Sequence, residues 1–174
     1  MSNTKKYILT GVILGSIAAV AAGLIAVTNL VTKDRIAKND LEKLNLGIRK
    51  IFGDNASISA QEDLTNEKYE YVVTSYEVKD GDTLLGYAFK SEGSNDYGKI
   101  SMISGFDDAT RSFVSLYLLE NGQSYASTLV ENYIVPLTSG NRDLEDVSCG
   151  ATRGATLVKN MVNEASEIAK TYKK

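Results

Sequence analysis

Apolar and polar positions divide the chain into stretches of different period. No charged residue occurs from Tyr7 to Val27, and the apolar character continues through Asn29, Leu30 and Val31 until Lys33. A run of this length can cross the hydrocarbon core of a bilayer as a helix. Gly11, Gly15, Ala18, Ala19, Ala22 and Gly23 give it the small residues that let two membrane helices approach closely. Lys5-Lys6, the apolar run and Ala19-Val20-Ala21 also resemble the three regions of a cleaved signal peptide. The run continues well past that point, which favours a retained anchor. A short cytoplasmic tail is therefore expected over residues 1–6 and a transmembrane helix over 7–31. Lys33, Arg35, Lys38 and Lys43 follow the span, so a count of basic residues does not orient it. Because that rule weakens for long translocated domains, the expectation is a cytoplasmic amino terminus with the remainder outside the cell membrane.

Beyond the span, Ile36, Leu41, Leu44, Leu46, Ile48 and Ile51 recur among charged residues at roughly helical spacing, predicting a linking helix over 32–53 that ends at Gly53. A loop rich in Asp, Asn and Ser follows. The period then changes. Tyr69 to Val78, Thr83 to Lys90, Tyr97 to Phe106 and Ser112 to Glu120 are rich in Tyr, Val, Ile and Phe and are separated by turn residues. They predict four strands in an antiparallel meander, closed by Asn121-Gly122. Ser127 to Tyr133 reads as a short helix broken near Pro136, and Thr138 to Arg142 as a polar loop. The clearest helix is the last. Leu157, Val158, Met161, Val162, Ala165, Ile168 and Ala169 form one stripe, with Lys159, Asn160, Asn163, Glu164, Glu167 and Lys170 facing away. The expected fold class is α+β: one amino-terminal transmembrane helix, then a single domain over 54–174 with an antiparallel sheet and a carboxy-terminal amphipathic helix.

Composition narrows the chemistry. With 43% apolar residues in 174, the chain can build a core. A formal charge of -3, without basic runs, gives no electrostatic basis for nucleic-acid binding. There is no histidine and one cysteine, Cys149, which removes Ser-His-Asp and Cys-His nucleophilic systems and an internal disulfide framework. Redox chemistry in such a chain has to come from a cofactor.

The segment before the last helix, Asp146-Val147-Ser148-Cys149-Gly150-Ala151-Thr152-Arg153-Gly154-Ala155-Thr156, contains two Gly-Ala-Thr triplets. Small residues at a helix start let backbone N–H groups approach a ligand, and a phosphate there would gain amide donors, the helix dipole and the charge of Arg153. An ordinary tight loop with Thr152 or Thr156 as helix cap is the competing reading.

This segment resembles the flavinylation motif of the FMN-binding domain family, in which an Asp stands six residues before a Thr within a Ser/Thr-Gly-Ala-Thr sequence. Here Asp146 is followed by Cys149-Gly150-Ala151-Thr152. The span leading into Thr32-Lys33-Asp34-Arg35-Ile36, Gly86-Tyr87, the turn at Tyr97-Gly98-Lys99-Ile100 and Asp107-Asp108 are similar to one branch of that family. That branch is the G subunit of Rnf-type ion-translocating electron transport complexes, related to the C subunit of the sodium-pumping NADH:quinone oxidoreductase. Cys149 stands where the family usually has Ser or Thr, and Glu120 to Tyr125 preserves little of the family's segment near the flavin.

The resemblance implies an electron-transfer subunit, not catalytic alone, that carries FMN through a phosphoester on Thr152. It implies a separate flavin transferase for maturation and other membrane subunits of a redox complex as partners. Asp146 falls to transferase recognition or loop shaping, Gly150 and Ala151 to close backbone approach, with Cys149 and Arg153 completing the site. Thr156 as the acceptor is the second register, but its six-residue spacing lands on Gly150. Tyr97 and Tyr125 are the nearest aromatic candidates to flank the ring, against a strand-surface or core role. A flavin-free structural or assembly subunit is the alternative function. A pilin-like protein would share the overall pattern, but its Gly cleavage point and early Glu are missing.

Overall fold

Helix α1 (Asn3–Phe52) ends at Gly53, whose φ of 108° and N–H donation to the Arg49 carbonyl at 2.9 Å make it a left-handed helix stop. In this computed structural model the described residues are 3–65 and 68–172, and side chains are described for all of these except 3–6, 29–31 and 34. The side chains of Lys5 and Lys6, and of Asn29, Leu30, Val31 and Asp34, therefore lie outside the described residues, as does part of the tail read over 1–6.

Two units divide the chain, Met1–Leu41 and Glu42–Lys174. In the first, Tyr7–Thr28 is long and apolar enough to cross a membrane and buries none of its residues. That is the opposite of a core helix, whose apolar side chains would be covered.

The second unit is α+β. Five strands, β1 (Ser57–Asp63), β2 (Val72–Asp80), β3 (Thr83–Asn95), β4 (Gly98–Asp107) and β5 (Phe113–Asn121), form one antiparallel sheet in sequential order. The turn residues set the register: Asp80 pairs with Thr83 around Gly81, and Asn95 with Gly98. Because strand side chains alternate between faces, neighbouring residues serve different cores. Ala88 and Ile103 pack with Leu44, Ile48 and Ile51 from the last turns of α1. Tyr87, Phe89 and Phe106 pack instead with Ala165, Ile168 and Ala169, and Ile100 and Met102 with Val158 and Met161, all from α4 (Thr152–Thr171). Every residue of the stripe read from the sequence is buried.

Strand β1 replaces the expected loop. Only Ile58 and Ala60 of this edge strand are half-buried, so its composition is polar although its backbone pairs with β2. The helix expected to break near Pro136 also continues: α2 (Ala126–Leu129) runs through a π turn (Val130–Ile134) into α3 (Val135–Thr138). Pro136 falls in the first turn of α3, where a missing N–H costs least. Glu164 does not simply face away. Its carboxylate accepts the N–H groups of Glu70, Tyr71 and Val72 at 2.6, 2.8 and 2.8 Å, joining α4 to the start of β2.

Candidate functional site

The loop from Ser139 to Ala151 is fixed from several sides before it enters α4. Arg142 donates to the carbonyls of Asp146 at 2.7 Å and Ser148 at 3.2 Å, and its guanidinium lies 3.4 Å from the Asp146 carboxylate. Asn132 donates to the Cys149 carbonyl at 3.1 Å. Tyr133 donates to the Leu144 carbonyl at 2.6 Å, and burial pushes its hydroxyl far above the ordinary tyrosine range. Glu145 accepts from Asn163 at 3.2 Å and Lys159 at 3.3 Å on α4, which holds its carboxyl below the ordinary range. Gly150 then turns the chain with a φ of 84°, a conformation suited to glycine.

Helix α4 starts without a side-chain cap. Ala151 occupies the cap position, and its carbonyl accepts the Ala155 N–H at 3.0 Å. Among the described residues the first-turn amides have no side-chain acceptor, the arrangement that favours an anion. Thr152, at the first position of α4, is exposed, and its hydroxyl makes no hydrogen bond among the described residues. Thr156 differs: its hydroxyl donates to the Thr152 carbonyl at 2.8 Å and is committed to the helix.

An open cleft of ≈ 210 Å³ lies here. Tyr97, Gln123, Tyr125, Leu129 and the run from Gly150 to Gly154 line it. Tyr97 and Tyr125 stand 5.9 Å apart between ring centroids, tilted by 51°, and are 38% and 56% exposed. Arg153 keeps its guanidinium largely in solvent, 3.7 Å from Asp96.

Of the residues singled out from the sequence, Gly150, Ala151, Thr152 and Arg153 meet at this cleft, and Tyr97 and Tyr125 join them from other elements. Asp146 and Cys149 do not line it. Asp146 closes the loop onto Arg142 and accepts the Ser148 N–H at 3.2 Å. Cys149 is buried in the core beneath the loop. Gln123 was not found by sequence reasoning, because a lone glutamine after Asn121-Gly122 looks like part of a polar turn.

No curated protein matches the chain. Residues 1–46 match the family described as the RnfG N-terminal region. The match covers the candidate span and the turns after it and includes none of the cleft residues, so the likeness to the RnfG subunit is one of the amino-terminal region.

Proposed function

We propose that the chain is an electron-transfer subunit of an Rnf-type membrane complex, anchored by α1 with its domain outside the cell membrane, and that it carries FMN through a phosphoester on Thr152. In domain terms the reading keeps a short tail over 1–6, a span over 7–31, a linking stretch over 32–53 and the FMN-binding domain over 54–174. The observation that carries the flavin assignment is the unpartnered Thr152 hydroxyl at the uncapped start of α4, opening on a cleft with two exposed tyrosine rings. The RnfG-like amino-terminal region supports the choice of complex.

The residues present fit the group. A phosphate on the Thr152 oxygen would lie at the positive end of a 20-residue helix, with first-turn amides as donors and Arg153 beside it. Gly150 keeps the backbone open, and Tyr97 and Tyr125 offer aromatic walls. FMN, when bound, supplies the one- and two-electron chemistry that this chain's side chains lack. The protein's own part is to hold the cofactor, exclude water from one side and fix its distance from partner subunits. Asp146, tied to Arg142 at the loop surface, is available to a flavin transferase; Cys149 packs beneath the loop.

The test is expression of the full chain with a flavin transferase, denaturation, and ultraviolet-excited fluorescence on a gel. Thr152→Val and Thr156→Val are run beside it. A fluorescent band lost only in Thr152→Val is expected. Loss only in Thr156→Val would move the attachment to the second register. A dark wild-type band, with a known substrate labelled by the same transferase, would remove the covalent flavin and leave a structural or assembly subunit.

A further inference from the structure

Gln123 is 7% exposed and lines the cleft. Its amide has one allowed orientation. Nε2 donates to the Gly98 carbonyl and to Asn95 Oδ1, the latter at 3.1 Å. The Asn95 side chain is fixed in turn by groups that cannot reverse roles: its Oδ1 accepts the Tyr97 N–H at 2.9 Å, and its Nδ2 donates to the Arg153 carbonyl at 3.1 Å. A flipped Gln123 would set its oxygen against two acceptors. Both donor hydrogens are therefore spent on the protein, and Oε1 remains. It has no partner among the described residues and lies on the Gly154 side, 3.2 Å from where a Cβ on that glycine would stand. Such a methyl would also come 3.0 Å from Leu129. The missing side chain at position 154 leaves this acceptor uncovered.

We propose that Gln123 Oε1 is a preset acceptor for a hydroxyl of the sugar-alcohol chain of the bound flavin, making Gln123 the residue that selects a hydroxylated ligand over a bare ring. The inference rests on the flavin reading above. Oε1 sits against the first turn of α4 at Gly154, two residues beyond Thr152 in a cleft that both Gln123 and Thr152 line, so the ligand atoms that reach it are those nearest the attachment oxygen. In a flavin phosphate these are the chain hydroxyls, which are donors. An acceptor held in place by neighbouring backbone loses little entropy on binding, and a ligand without the donor leaves it buried and unpaired.

The test uses the full chain in detergent carrying Thr152→Val, which prevents covalent attachment. Riboflavin and lumiflavin, which differ by that hydroxylated chain, are titrated by fluorescence quenching. Gln123→Met should weaken riboflavin by about tenfold, the value of one buried hydrogen bond, and lumiflavin by less than about twofold. Equal effects on the two probes, or none on riboflavin, would overturn the assignment. Should Gln123→Met fail to fold by circular dichroism, Gly154→Ala decides by the same comparison. It covers Oε1 and leaves the two donor bonds in place. A Thr152→Val chain that binds neither probe also overturns the assignment, whereas the wider reading stands or falls on the gel band.

Discussion

Glu145 is one residue before Asp146 in the sequence, and it ties the loop to α4 through Asn163 and Lys159. These bonds stabilise its ionised form and hold its pKa below the unfolded value. The contribution is present at neutral pH and is lost as pH falls through the depressed folded-state pKa. Thermal melts of the wild type and Glu145→Gln should therefore differ at neutral pH and converge on acidification. A difference that grows as pH falls would contradict the pairing. Gly150 belongs to the same scale. A place for close backbone approach was legible from the Gly-Ala-Thr triplet, but the left-handed φ of Gly150 and the role of Gln123 were not. Its partners at Asn95 and Gly98 stand on another turn, and only the closed sheet brings them within reach.

At the scale of elements, glycines let α1 approach the sheet. A Cβ on Gly105 in β4 would stand 2.3 Å from Ile51 Cγ2 and 2.9 Å from the Phe52 ring; one on Gly47 in α1 would stand 2.9 Å from Tyr117 Cδ1. Gly105→Ala should cost about 1–3 kcal/mol by overpacking this contact. Urea unfolding with an unchanged midpoint would show that the helix end is more loosely seated. Strands β2 to β5 were legible because Tyr, Val, Ile and Phe gather between clear turn signals. β1 was not, since an edge strand needs few apolar residues and Ser57 to Asp63 offers only Ile58 and Ala60. Pro136 misled for a related reason: proline ends a helix from within but is tolerated in a first turn, and the π turn before it sets up that position.

At the scale of the whole molecule, Tyr7–Thr28 predicts that the chain stays with membranes through high-salt and alkaline washing and leaves only with detergent. Recovery in the soluble fraction would point to removal of the segment. Protease added outside intact expressing cells should digest the domain; protection would reverse the proposed orientation.

The clasp between Glu164 and the amides of residues 70–72 joins positions more than ninety residues apart, and the bond from Asn95 to the Arg153 carbonyl ties the turn beside the cleft to α4 across 58 residues. Neither forms until the five strands have been synthesised and α4 has docked over them. Thr152 is thus presented in its final setting only late in biogenesis. On the flavin reading, the modification then works as a record of maturation: a partly folded chain lacks the cleft, and a labelled chain reports that its sheet and last helix have come together.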